Sequence, residues 1–327
     1  MNSLYPLLFR PVYKEKIWGG QRIKTLLGKD FSPLPNCGEV WLISGVEGES
    51  TVVSNGFLAG NELNELVEVY MDDLVGGPVF EKFGDRFPLL FKFIDSNDYL
   101  SVQVHPDDEL ALERHQGYGK TEMWYVIDAG PDAELISGFR KPVDRQQFLD
   151  HLQNGSLREI LNTEKVTAGD VFYLPAGRIH ALGPGILLTE IQQASDITYR
   201  VYDWDRTDPQ GNRRELHISQ ALDAIDYQVG DQSRIHYSGK PNAAVTLVES
   251  PYFTTNLLQL TKPSWKEFAK PDSFVVYVCT GGRAELVCRE GRLPLVSGDA
   301  VLVPAEIPEF QLFPSPTVDL LEVYVEA

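Results

Sequence analysis

The chain has 327 residues, enough for one large or two ordinary domains with ample core, and its 43% hydrophobic content is that of a soluble globular protein. A formal net charge of −18 argues against nucleic acid and membrane surfaces as partners, because both need a positive footprint, yet leaves room for a small anionic substrate wherever a few Lys and Arg converge. Cys37, Cys279 and Cys288 are too scattered for a disulfide framework or a Cys-type zinc knuckle; the N-terminal apolar run is too short for a signal peptide and no run reaches membrane-span length, so a cytoplasmic protein is expected.

Residues 1 to 60 read as turns and short strands, with P-V-Y-K-E-K-I-W-G-G as a loop and G-E-V-W-L-I-S-G as a strand start. In E-L-N-E-L-V-E-V-Y, residues 62 to 70, Leu63, Leu66, Val67 and Tyr70 fall at helical spacing and predict a short helix. The mostly apolar run from Phe87 to Ser96 predicts a strand. Its single Lys92 either snorkels to solvent or faces a cavity.

The stretch from Leu100 to Val126 organises the rest. Strand periodicity puts Ser101, Gln103 and His105 on one face and Val102 and Val104 on the other, until Pro106, Asp107 and Asp108 end the strand in a turn. The chain returns with Glu122, Trp124 and Val126 on one face and Met123 and Tyr125 on the other. A Gln, a His and a Glu from neighbouring strands form three quarters of a zinc-type site, with N and O donors. The fourth ligand has to come from elsewhere.

Residues 141 to 162 predict two short helices interrupted at Asn154-Gly155, with His151 on the surface. A Gly-Asp turn, a strand and a Pro-Ala-Gly turn then lead to His180, which opens the next strand and is the candidate fourth ligand. Alternation between Leu187 and Arg206 places Glu190 and Gln192 on one face and, after the Ser195-Asp196 turn or bulge, Thr198, Arg200 and Tyr202 on one face. A short helix is expected from Glu215 to Ile225, and residues 226 to 245 read as a linker. His115, His217 and His236 have no partner at ligand spacing.

The last part echoes the first. Gly298 to Glu309 aligns without gaps on Gly169 to His180, and the preceding F-V-V-Y-V-C-T-G-G-R-A-E-L matches M-W-Y-V-I-D-A-G-P-D-A-E-L. The copy carries Glu309 at the place of His180 and, on this reading, Phe274 at the place of Glu122. It has no His after His236, so its expected role is structural and metal-free.

Strands, a G-D-x5-P-x-G-x2-H turn and a repeated unit resemble the cupin superfamily. The motifs Q-V-H-P-D-D, G-K-T-E-M-W-Y, P-A-G-x2-H-A-L and E-I-Q-Q-x-S-D-x-T-Y-R, with I-W-G-G and G-E-V-W near the start, resemble the short bacterial form of the type I mannose-6-phosphate isomerases. The resemblance implies a mainly β chain of two cupin-type double-stranded β-helix (jelly-roll) domains with short helical insertions. It divides into a catalytic unit, 1 to 240, and a degenerate metal-free unit, 241 to 327. One Zn2+ per chain would be held by Gln103, His105, Glu122 and His180. Arg200 would be the catalytic arginine, Glu190 the candidate proton-transfer carboxylate, and Lys92, Ser101 and Lys120 the substrate-binding set. Longer family members carry H-K-P-E where this chain has G-K-T-E, so the histidine beside the lysine is absent. The implied reaction is interconversion of mannose 6-phosphate and fructose 6-phosphate through an enediol(ate). A non-enzymatic sugar-binding or regulatory cupin, and another metal-dependent cupin enzyme such as a dioxygenase, are the alternatives. The implied partner is a small sugar phosphate; oligomeric state is not readable.

Overall fold

A computed structural model describes residues 3–207, 211–229, 233–268 and 272–326. Its alternating segments become strands that close into two β-sandwich barrels. The first barrel uses β1 (Val12–Lys14), β2 (Glu39–Ser44), β3 (Leu89–Ser96), β4 (Val102–Val104), β5 (Glu122–Ala129), β6 (Glu134–Phe139), β7 (Leu161–Lys165), β8 (Val171–Leu174), β9 (His180–Leu182), β10 (Ile186–Gln193), β11 (Tyr199–Tyr202) and β12 (Arg234–Ile235). These form two antiparallel sheets, in the orders β1-β2-β3-β10-β5-β8-β12 and β11-β4-β9-β6-β7. The second barrel uses β13 (Ala244–Glu249), β14 (Thr254–Leu260), β15 (Ser264–Glu267), β16 (Val275–Cys288), β17 (Gly291–Val296), β18 (Ala300–Val303) and β19 (Glu309–Tyr324). The central path of its sheet runs β13-β14-β19-β16-β17, with β15 on β19 and β18 on β16.

Three apolar layers hold this together. Trp124, Val126, Phe172, Leu182, Ile186 and Leu188 fill the first barrel between its sheets. The outer face of its larger sheet, including Phe91, Phe93, Met123, Tyr125 and Ile191, packs on Leu257, Val276, Val278, Leu321 and Val323 of the second barrel. Strands β3 and β10 are therefore buried on both faces, which is why they read as almost unbroken apolar runs. On the opposite side, Val102, Val104, Ala181 and Val201 are covered by Phe148, Leu157, Ala221 and Leu222. No helix among the described residues is long and apolar enough to cross a membrane.

The helical segments differ from expectation in instructive ways. The helix expected at 62–70 runs Leu63–Val75, started by a Glu62/Glu65 capping box, with non-helical Met71 (φ 46°) at a kink, and is followed by Gly77–Phe83. β4 ends already at Val104, so His105 lies just past the strand rather than within it, and Asp107, expected to form a turn, caps an unexpected helix, Asp108–His115, by accepting from the Leu110 amide at 2.9 Å. Of the two helices expected between 141 and 162, Arg145–Gln153 forms behind an Asp144/Gln147 capping box, whereas the second is a single 3-10 turn, Leu157–Glu159. Leu161 already belongs to β7, whose pairing with β6 outcompetes helix extension. The helix expected at 215–225 is confined to Ile218–Ala224, because the His217 amide donates to the Arg200 carbonyl at 2.7 Å and holds the preceding chain beside β11. In the expected linker, Arg234 and Ile235 pair with β8; residues 230–232 lie outside the described residues.

The internal echo survives in the ladders, with one correction. Glu122 stands opposite Leu174, and the matching place opposite Val303 is held by Val275, not Phe274. Phe274 instead faces the first barrel and packs on Phe87 with ring centroids 4.6 Å apart. Glu309 is exposed. On the central strands, Glu190 lies between Lys92 and Trp124, and Glu322 lies between Asn256 and Tyr277. Glu322 accepts from the Tyr277 hydroxyl at 2.7 Å and pairs with Lys266 at 2.6 Å, so the second barrel keeps a carboxylate with an aromatic donor where the first has Glu190 and Trp124. Burial and the Glu322 charge push the Tyr277 hydroxyl far up, so it remains a donor.

Candidate metal centre and substrate cavity

The site is assembled by main-chain hydrogen bonds around a turn. The Gly177 amide donates to the His105 carbonyl at 2.9 Å, and the Ala176 amide donates to the Thr121 hydroxyl at 3.2 Å. The Pro175–Arg178 turn is thus tied to both strand ends, and His180 enters β9 opposite Gln103. Gly119 is required where it stands: a Cβ there would lie 2.6 Å from the Asp107 carbonyl carbon and the Asp108 amide nitrogen. The G-K-T-E departure therefore has a packing reason, since the loop leaves no room for a side chain before Lys120 and uses the Thr121 hydroxyl as a brace.

His105, Glu122 and His180 are buried, and one ligand atom from each lies within 4.8 Å of the others. Both imidazoles are turned the same way. His105 Nδ1 and His180 Nδ1 each donate to a main-chain carbonyl at 2.8 Å, of Ile197 and Arg178 respectively, leaving both Nε2 atoms directed at the Glu122 carboxylate. Burial, with the Lys120 ammonium nearby, pulls His105 well below the ordinary histidine range, and burial brings His180 down to about 4. Both are neutral, the form in which a histidine ligates. Burial and the neighbouring Glu190 carboxylate push the Glu122 carboxyl up to about 7, against the pull of Lys120.

Three buried acceptor positions, Glu122 Oε1, Glu122 Oε2 and His180 Nε2, have no well-formed hydrogen bond. Among the described residues the cation in contact with this cluster is Lys120, whose Nζ stands 2.8 Å from Glu122 Oε2 and 3.0 Å from His105 Nε2. A neutral N donor pair, a buried carboxylate and orphaned acceptors fit a divalent metal, and Gln103 lines the adjoining cavity on the same wall.

That cavity, about 340 Å³, opens between the inner faces of the two sheets. From the larger sheet come Lys14, Glu39, Trp41, Lys92, Trp124 and Glu190, with Lys16 just beyond β1; from the smaller come Gln103 and Arg200, with Ser101 and Thr198 just before their strands and Arg214 and Asp196 beside them. Lys92 faces the cavity and does not snorkel. Its ammonium is 2.9 Å from Glu190 Oε1 and 3.9 Å from Glu39 Oε2. The Trp124 indole donates to the other Glu190 oxygen at 2.8 Å. Burial opposes ionisation of Glu190, but Lys92 and Lys120 outweigh it and hold the carboxyl below its usual range. Burial likewise opposes ionisation of Glu39, which Lys92 and Lys16 nevertheless bring down to about 2, while Lys92 is raised to about 12 by Glu190 and Glu39 against the effect of burial.

Arg200 stands opposite Gln103 in the β11–β4 ladder. Among the described residues it is the one cavity-lining cation without a carboxylate within 4.0 Å: its Nη1 donates to the Glu215 carbonyl at 2.8 Å, and its buried Nε has no partner. Every sequence-derived site residue thus lies at the metal cluster or on this cavity. Glu39, Trp41, Lys14, Lys16, Trp124 and Arg214 were missed as site residues. The alternation of β2, which puts Glu39 and Trp41 on one face, was the available signal for two of them.

A double-stranded β-helix with two neutral histidines and a carboxylate converging beside a cationic cavity is the arrangement of a metal-binding cupin. Known proteins narrow this further. A family profile described as phosphomannose isomerase type I, catalytic domain, matches residues 7–128, and one described as mannose-6-phosphate isomerase, cupin domain, matches residues 243–318. The chain is 37% identical over 313 residues to mannose-6-phosphate isomerase ManA of Bacillus subtilis, covering 94% of this chain and 95% of that one. It is 36% identical to the mannose-6-phosphate isomerase of Streptococcus mutans, covering 94% of each. The crystal structure of the mannose 6-phosphate isomerase from Bacillus subtilis superposes with a TM-score of 0.87 at 34% identity, over 98% of this chain and 99% of that one. The chain belongs to the type I mannose-6-phosphate isomerase family.

Proposed function

We propose that the chain is a zinc-dependent aldose–ketose isomerase that interconverts mannose 6-phosphate and fructose 6-phosphate through an enediol(ate). The observation that carries the reading is the cluster of His105, Glu122 and His180, with unsatisfied buried acceptors, joined through Lys120 to a cavity lined by six cations and three carboxylates. Gln103, His105, Glu122 and His180 would hold the metal, which supplies Lewis-acid polarisation of a sugar oxygen. The division at residue 240/241 belongs to the same reading, supported by β12 pairing into the first barrel and β13 opening the second.

The remaining roles follow from the side chains. Glu190 is the proton-transfer carboxylate. Lys92 and Trp124 each bind one of its oxygens, which fixes its orientation and keeps it ionised and able to accept a proton from the carbon next to the carbonyl. Lys92 is itself steadied by Glu39. Arg200, always charged and without a carboxylate of its own, stabilises negative charge that develops on the sugar oxygens. Ser101 and Lys120 contact sugar hydroxyls, and Trp41 and Trp124 exclude water from one wall. The reaction is tested by an assay coupled to fructose 6-phosphate. The reading expects product from mannose 6-phosphate; metal-loaded protein that binds the sugar phosphate without converting it would establish the non-enzymatic alternative, and oxygen consumption would establish the dioxygenase one.

A further inference from the structure

We propose that Asp108 positions Lys120 at the substrate cavity and that Tyr252 of the second barrel holds Asp108 in place, an inference that rests on the isomerase reading above. Asp108 closes the Q-V-H-P-D-D motif and Gln193 closes the Gln pair of E-I-Q-Q, yet neither lines the cavity. Their side chains meet behind the loop that carries Lys120.

Three successive amides of that loop are each taken by a fixed acceptor. Gly119 donates to Asp108 Oδ1 at 2.8 Å, Lys120 to the Pro106 carbonyl at 3.0 Å, and Thr121 to Gln193 Oε1 at 2.9 Å. Gln193 Nε2 returns to Asp108 Oδ1 at 2.9 Å, so the two side chains form one bracket around the backbone of Lys120. Gln193 is buried, and its own amide donates to the Thr121 carbonyl at 3.2 Å, which ties the bracket to the end of β10. Lys120 is buried as well, with its ammonium at Glu122 and His105. A shift of this loop therefore moves the ammonium relative to both the histidine–carboxylate cluster and the sugar hydroxyls.

Asp108 has a second oxygen, and the second barrel uses it. From the turn between β13 and β14, the Tyr252 hydroxyl donates to Asp108 Oδ2 at 2.9 Å. That turn is itself held, because the Ser250 hydroxyl donates to the Phe253 carbonyl at 2.9 Å and the Lys82 ammonium donates to the Pro251 carbonyl at 3.1 Å. Burial and the Asp108 carboxylate push the Tyr252 hydroxyl up to about 12, so it remains a donor. Hydrogen bonds to a carboxylate are about twice as strong as neutral ones, and here one oxygen faces the loop while the other faces the neighbouring barrel. The metal-free barrel thereby takes part in placing a lysine of the site.

Titration calorimetry of metal-loaded protein with mannose 6-phosphate, run as a double-mutant cycle with Lys120→Ala, separates positioning from general damage. Asp108→Ala is expected to weaken binding by about 5- to 20-fold when Lys120 is present, part of the value of a charge-assisted hydrogen bond, and by less than about twofold once Lys120 is replaced. Asp108→Asn stays within about threefold of wild type, because its carbonyl keeps both loop bonds and its amide meets the Tyr252 hydroxyl. Tyr252→Phe weakens binding by about two- to fivefold, and amide hydrogen exchange at residues 119–121 quickens in both Asp108→Ala and Tyr252→Phe. Equal losses with and without Lys120 would make Asp108 a merely structural residue, and unchanged affinity in Asp108→Ala would leave Lys120 placed by other contacts; either overturns the proposal. A Tyr252→Phe variant that matches wild type in both measurements would overturn the share of the second barrel. Wild-type protein that shows the coupling between Asp108 and Lys120 yet forms no fructose 6-phosphate would overturn the isomerase reading alone.

Discussion

Changing His180 to Ala is expected to empty the metal site and abolish turnover while leaving a folded chain. His180 is the proposed ligand carried by the braced Pro175–Arg178 turn, and that brace uses main-chain amides bonded to His105 and Thr121 rather than the imidazole itself. The second barrel and the layers on both outer faces do not involve His180, so the fold has independent support. Loss of an N donor from a four-residue ligand set removes the Lewis acid, worth several kcal/mol of charge stabilisation, so turnover falls by about a thousandfold or more. His180 also meets Trp124 edge to face at 5.4 Å, and Trp124 holds Glu190, which adds to the loss. Glu122→Gln keeps the shape but gives up the charge. It is expected to lose metal as well, which elemental analysis reads directly. Retention of one metal by both variants would remove these residues from the ligand set.

Arg200→Ala is expected to lower kcat far more than it weakens mannose 6-phosphate binding. Uniform binding appears in KM, whereas charge present only in the transition state appears in kcat. The Arg200 guanidinium is half-buried, carries no carboxylate partner and stands beside Gln103, so its field reaches the reacting end of the sugar rather than a counter-ion. Loss of a donor to a developing oxyanion costs about 3 to 4 kcal/mol, a drop of about a hundred- to a thousandfold. Arg200→Lys recovers little, because an ammonium cannot reproduce the planar fork that meets both the Glu215 carbonyl and the substrate. Steady-state kinetics decide: kcat near wild type with a raised KM would make Arg200 a phosphate clamp and shift transition-state stabilisation to the metal.

The metal cluster was legible because strand periodicity is strict. His105 and Glu122 follow from counting by two and His180 from a turn whose Gly and Pro leave few conformations, whereas Gln103 lines the adjoining cavity. What the sequence concealed was the pairing between distant strands. That Lys92 is held by Glu190 and Glu39, and Trp124 by Glu190, depends on β2, β3, β10 and β5 lying side by side, and local pattern carries no such register. The same limit explains Phe274: the echo was visible, but only the ladder opposite Val303 shows that Val275 takes the ligand place. Arg214 was hidden for a further reason. It lies in a polar, irregular segment after β11, with no periodicity to assign it a face, and it is held at the cavity wall by its ion pair with Asp203. The extra helix at Asp108–His115 was missed because an Asp pair reads equally as a turn and as an N-cap.

The central claim is that isomerisation depends on one metal held by His105, Glu122 and His180. Titrating metal-stripped protein with zinc while following formation of fructose 6-phosphate from mannose 6-phosphate tests it in a single curve. The account predicts no activity at the start, a linear rise, and a sharp break at one zinc per chain. Full activity in the stripped protein, or a break at two zinc per chain, would contradict it.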